Sequence, residues 1–128
     1  MTKDSALTED FENALERFRE ALSAPATELH RDATIQRFEF CFDLAWKLIK
    51  EVLETKRGVV CNSPKTCLRE AYKQKFIEEY DKRWLAIADD RNLTAHTYNE
   101  ALAKEIYERL PKALELFNKL RDTLSASE

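Results

Sequence analysis

Between Arg91 and Glu100 the chain reads RNLTAHTYNE, its densest run of side chains able to do chemistry. Arginine carries a permanent, planar positive fork that matches two phosphate oxygens at once. Histidine is the side chain that readily gives or takes a proton near neutral pH. Arg91 and His96 stand five positions apart, which on one α-helix is about 500°, or about 140° around the axis. They converge only if the helix breaks between them. Thr97 and Glu100 supply a break, because T-x-x-E is a capping box that predicts a new helix with Tyr98 in its first turn. His96 then lies just before a helix N-terminus, where free N–H groups and the helix dipole attract anions. An arginine, a histidine and a helix N-terminus at one corner suit the handling of a phosphate group. A structural reading fits the same residues, with His96 capping a junction and Arg91 paired to Asp89 or to a helix C-terminus.

Other candidates are less specific. Glu39 and Asp43 share a helix face at i and i+4, with Lys47 one turn further. They can reach toward Arg91 or a partner, or form a solvated face with an Asp43–Lys47 pair. Trp46 and Trp84 have apolar neighbours and read as core rather than as platforms for bases. Cys41 lies in an apolar helical run, as a buried thiol would. Cys61 and Cys67 have no nearby histidine or second cysteine pair, so no metal site is expected, and no motif calls for a cofactor.

The elements that must position these groups are helices. The 128 residues fit one domain, 1–128, with the last five expected to fray. Gly58 is the single glycine and there are three prolines, which argues against all-β and nucleotide-binding α/β folds, both built on glycine turns. The expected class is all-α, an antiparallel bundle of four to five helices. The formal net charge of −3 is wrong for a protein that holds nucleic acid mainly by neutralising phosphates, so any RNA contact must be local or depend on a partner. No apolar run approaches the ~20 residues that span a bilayer, and MTKDSALTED lacks the pattern of a signal peptide. With three cysteines, too few and too odd for a secreted disulfide scaffold, the cytoplasm is expected.

Helix one is predicted between Thr8, as N-cap, and Pro25, with Phe11, Leu15, Phe18 and Leu22 on one stripe. Helix two is predicted from about Asp32 to Arg57, closed by Gly58. Its stripe of Ile35, Phe38, Phe42, Ala45, Ile49 and Val52 is widened by Phe40, Leu44, Trp46, Leu48 and Leu53. A helix apolar over so much of its girth is central in a bundle or buried between subunits, which predicts a homodimer. Ser63-Pro64 starts helix three, with Leu68, Ala71 and Tyr72 inward, and Phe76 a further candidate. Helix four is predicted from near Tyr80 or Asp81, carrying Trp84, Leu85, Ile87 and Ala88. Helix five carries Leu102, Ile106, Leu110, Leu114, Phe117 and Leu120, and Pro111 should kink or split it.

RNLTAHTY is similar to the R-x4-H-x-Y motif of the HEPN superfamily. With FEFCFDLAWK at 38–47, SPKTCLREA at 63–71 and WLAIADDRN at 84–92, the chain resembles the nucleotidyltransferase substrate-binding proteins, HEPN partners of minimal nucleotidyltransferases. The resemblance implies a HEPN-type bundle, usually a homodimer, working beside a separate nucleotidyltransferase. It implies that Arg91 and His96 are the pair HEPN ribonucleases use in metal-independent RNA cleavage. Asn92 matches the polar residue that often follows the arginine. Tyr98 matches the tyrosine that some antitoxin nucleotidyltransferases modify with AMP. Two functions follow: a toxin ribonuclease neutralised at Tyr98, or a non-catalytic subunit that presents substrate to the nucleotidyltransferase. The chain is not itself the nucleotidyltransferase, which needs a Gly-Ser turn and an Asp-x-Asp metal site; Gly58 precedes Val59 and no D-x-D occurs.

Overall fold

Among the described residues the apolar stripes become five α-helices and one short 3₁₀ turn. The structure, a computed structural model, describes residues 3–78 and 82–126, with side chains from Ser5 onward. In chain order the helices are α1 (Lys3–Ser23), α2 (Glu28–Arg57), α3 (Pro64–Lys73), α4 (Lys82–Leu93) and α5 (Glu100–Ala126), with the 3₁₀ turn at Thr94–His96 between the last two. The class is the all-α bundle expected. Its core is aromatic: Phe117 of α5 meets Phe11, Phe18 and Phe38, each with ring centroids 6.2 Å away, and Trp84 at 5.8 Å. All five side chains are buried. Trp84 is therefore core, and Trp46 packs partly buried against the same cluster.

Several helix boundaries differ from the sequence expectation. Thr8 is not an N-cap, because α1 already begins at Lys3 and Leu7 packs on the core. The second helix starts at Glu28, ahead of Asp32: the Thr27 hydroxyl accepts the His30 N–H at 3.1 Å, satisfying an N-terminal donor. At its other end Gly58 adopts φ +65°, and its N–H reaches the Glu54 carbonyl at 3.1 Å, while Val59 reaches Leu53 at 3.0 Å. Ser63 caps α3 and Pro64 opens it, as expected. Tyr72 does not face inward; it is exposed, while Phe76 is buried. The expected start of α4, at Tyr80 or Asp81, lies outside the described residues. Pro111 does not split α5, which continues to Ala126 with Leu124 buried. The tail expected to fray is thus helical as far as Ala126.

Cys61 and Cys67 form a disulfide across the segment between α2 and α3, with Cα atoms 5.3 Å apart. The sequence reading did not foresee this pairing. Cys41 is the buried free thiol anticipated; burial pushes it up to about 12, only partly offset by Arg37. Among the described residues, no helix is long and apolar enough to cross a membrane.

Candidate functional site

The end of α4 sends three consecutive charged side chains to three different helices, as the ~100° step per residue requires. Asp89 pairs with Lys65 at the start of α3, at 2.7 Å. Asp90 is buried and receives both ends of the Arg109 fork from α5, at 2.8 and 2.9 Å. Arg91 turns to α2, where its Nε and Nη2 each donate to Asp43 at 3.0 Å. Its Nη1 donates to Thr94 at 3.1 Å and lies 3.4 Å from Glu39. Of the possibilities left open by sequence, then, Glu39 and Asp43 reach Arg91, and neither an Asp89–Arg91 nor an Asp43–Lys47 pair is the arrangement observed.

This geometry corrects one expectation. The fork of Arg91 is largely occupied: of five N–H groups, Asp43 takes two and Thr94 one, and the Glu39 carboxylate lies 3.4 Å from Nη1. The Asp43 hydrogen bond raises the guanidinium above its ordinary pKa, against a smaller opposing effect of burial. One cation faces two carboxylates, so Arg91, Glu39 and Asp43 together are negative. A phosphate can meet only the remaining Nη2 edge, unless a carboxylate moves.

The break between Arg91 and His96 exists, but the 3₁₀ turn makes it rather than a capping box. Thr97 ends that turn, and its hydroxyl donates to the Thr94 carbonyl at 3.0 Å. Asn99 caps α5 instead, accepting the Leu102 N–H at 3.1 Å. Tyr98 therefore lies in the turn before α5, not in its first turn, and is 81% exposed. Glu100 opens α5 and approaches Arg31 at 3.9 Å. His96 ends the 3₁₀ turn, exposed, with the Tyr98 hydroxyl 3.4 Å from its Nδ1 and the rings 5.9 Å apart, edge to face. At that length the hydrogen bond is weak, but it sets the tyrosine oxygen on the histidine ring. Asn92 is exposed on the last turn of α4 and lines a cavity with Ser63, Pro64 and Lys65.

Thr94 was missed by sequence reasoning. It is buried, donates to the Arg91 carbonyl at 2.6 Å and accepts from the Arg91 side chain. The available signal was its place three residues after Arg91, where a hydroxyl can fold back on a helix end. Among the described residues no three of His, Cys, Asp or Glu converge as a metal set.

The sequence profile of proteins described as nucleotidyltransferase substrate binding protein like matches residues 7–126. The chain belongs to that family. Over 80 residues, 59% of the chain, it is 34% identical to a Haemophilus influenzae protein named "probable ribonuclease HepT". The match spans 54% of that relative's length. Among solved structures, one from Thermus thermophilus is 38% identical, with a TM-score of 0.81 over 86% of this chain and 94% of that one. A Haemophilus influenzae structure, described as revealing the fold of a substrate binding domain of a nucleotidyltransferase, shares the fold. Its TM-score is 0.66, at 23% identity over 95% of this chain and 96% of that one. The family name implies a nucleotidyltransferase partner for its members.

Proposed function

We propose that this protein is the ribonuclease member of a toxin–antitoxin pair, cutting RNA without metal and neutralised by AMP transfer to Tyr98 from a separate minimal nucleotidyltransferase. The observation that carries the reading is the Tyr98 hydroxyl set against the ring of His96, on the 3₁₀ turn that follows the end of α4 bearing Arg91. The ribonuclease name of the Haemophilus relative supports it. We place the protein in the cytoplasm. There disulfides are uncommon, so the Cys61–Cys67 bond should respond to redox conditions.

In the cleavage step one His96 takes the proton from a ribose 2′-OH. The freed oxygen attacks the adjacent phosphorus, forming a 2′,3′-cyclic phosphate as the P–O5′ bond breaks. A second His96 gives its proton to the departing 5′-oxygen. One chain offers one His96 here, so the reading calls for a homodimer whose two-fold axis brings the corners together. Arg91 holds the phosphate through its free edge and steadies the charge of the phosphorane. AMP on Tyr98 puts bulk and a phosphate beside His96, where the RNA phosphate must sit.

One observation favours a second reading, a non-catalytic substrate-binding subunit. Two carboxylates, Asp43 and Glu39, already face the Arg91 fork, which is unfavourable for a polyanion. Expression alone and with the neighbouring nucleotidyltransferase separates the two. Growth arrest only when alone, lost in His96→Ala, supports the ribonuclease. No arrest, with nucleotidyltransferase activity that requires this chain, supports the subunit.

A further inference from the structure

The SPK segment that opens α3 has no part in the mechanism above, yet it forms one wall of a cavity beside the Arg91 corner. That cavity, about 260 Å³, is lined by Phe42, Ser63, Pro64, Lys65, Ala88 and Asn92. Phe42 precedes Asp43 and Asn92 follows Arg91, so two of its lining residues are the chain neighbours of the Arg91–Asp43 pair. We infer that the cavity is a subsite for the RNA nucleotide flanking the scissile phosphate, with Lys65 taking that nucleotide's phosphate and Asn92 hydrogen-bonding its base. The inference deepens the ribonuclease reading and rests on it.

Three features select a nucleotide. The first is charge. Two carboxylates offset Arg91, so affinity for a polyanion must come from cations beyond the corner, and Lys65 is the cation on this rim. Its pair with Asp89 is open to water on both sides, 51% and 59% exposed. Such pairs are weak, so a phosphate can replace Asp89 at little cost. The second is the lining. The half-buried Pro64, with the buried Phe42 and Ala88, gives the lining an apolar part suited to a base, while the exposed Asn92 amide carries both donor and acceptor, as a base edge requires. The third is size and rigidity. The volume falls just under the ~300–1,000 Å³ usual for small-molecule sites, which suits one base and not an extended ligand. The wall is held locally by the Ser63 hydroxyl, tied to Thr66 at 2.7 Å.

The test uses the full chain and a labelled oligoribonucleotide carrying 2′-O-methyl at every position, which lacks the attacking hydroxyl and cannot be cut. Binding is followed by fluorescence anisotropy across a salt series. Lys65→Ala should weaken binding about three- to tenfold and reduce the slope of log K against log salt by about 0.7, the loss of one phosphate contact to a single strand. Asn92→Ala should flatten the base preference among oligonucleotides differing at one position. Lys119→Ala, at the far end of α5, should change neither. Both tested side chains are exposed, and unaltered thermal melts will show that the variants fold. An unchanged slope for Lys65→Ala overturns the subsite, as does a loss of binding seen only toward the nucleotidyltransferase, which marks the face as a protein-docking surface. Lys65-dependent binding without cleavage of unmodified RNA leaves Lys65 and Asn92 as an RNA-binding site but removes the ribonuclease reading, and with it the site's place beside a scissile phosphate. Cleavage lost in His96→Ala but unaffected by both subsite variants does the reverse. A protein that binds no oligoribonucleotide overturns both.

Discussion

The clamp on Arg91 makes a prediction whose sign is informative. Asp43→Ala removes the carboxylate that accepts from Nε and Nη2, and leaves Glu39 and Thr94 to hold the guanidinium. Hydrogen bonds to charged groups contribute about 1.5–3 kcal/mol net when shielded. The Arg91 and Asp43 side chains are 29% and 36% exposed, so screening reduces the pair to a net of about 1–2 kcal/mol. For a domain of this size that corresponds to a fall in Tm of roughly 3–8 °C, readable by circular dichroism. If Asp43 positions Arg91, its loss lets the fork swing, and misplacement by about 1 Å costs up to 10²-fold. We therefore expect kcat/KM for RNA cleavage to fall by about 10- to 100-fold. Asp43→Ala added to Arg91→Lys should lose little more, because both changes remove one arrangement. Cleavage faster than wild type would refute the positioning role and make Asp43 a restraint on Arg91. A Tm unchanged within 1 °C would refute the energetic argument altogether.

Further outcomes follow from the same geometry. Tyr98→Phe should still cut RNA but escape neutralisation when the nucleotidyltransferase and ATP are present, measured by cleavage before and after incubation. Native Cys41 should resist thiol reagents: moving from 9.0 to about 12 lowers its thiolate fraction at pH 8 by about 10³, and unfolding in guanidinium should expose it. The linked stability effect has a definite sign. The native state keeps this proton where the unfolded chain has lost it, so stability should fall as pH rises from about 9 to about 12. Cys41→Ala should flatten that fall in alkaline melts. Phe117→Ala, which empties the centre of the aromatic core, should cost about 3–5 kcal/mol by urea titration.

The helical class, the stripes of the first two helices and the capped start of α3 were legible because periodicity and caps are local properties of the chain. The boundaries of α2 and α5 moved for equally local reasons: Thr27 caps α2 ahead of the expected start near Asp32, and Asn99 rather than Thr97 caps α5. Thr97 shows why the capping box failed. Its hydroxyl is drawn back to the Thr94 carbonyl by the 3₁₀ turn, and Thr–Glu spacing alone does not reveal that competition. Arg91 and His96 were legible as a pair of types, and the structure puts a break between them. What the sequence left open was where each charge of the DDR run would go, since that depends on which helix faces which side of α4. The Cys61–Cys67 pairing was hidden for a similar reason: it depends on the path of the chain from Gly58 into α3.

The placement of those three charges bears on how the corner works. Asp90–Arg109 fastens α4 to α5, and its carboxylate is buried, so this pair sets the rotation of α4 about its axis. Once that rotation is set, Asp89 must face α3 and Arg91 must face α2. Arg91 is therefore offered to substrate through its remaining Nη2 edge while Asp43 holds it, with no motion of the helix. Removing Asp90 should consequently disturb both Lys65-dependent binding and cleavage, although neither Asp90 nor Arg109 belongs to the Arg91 corner. Arg109→Ala, which leaves the buried Asp90 carboxylate without its partner, should lower Tm by several degrees and weaken RNA binding and turnover together. A variant that lost stability while both functions stayed intact would show that α4 is held in rotation by the core alone.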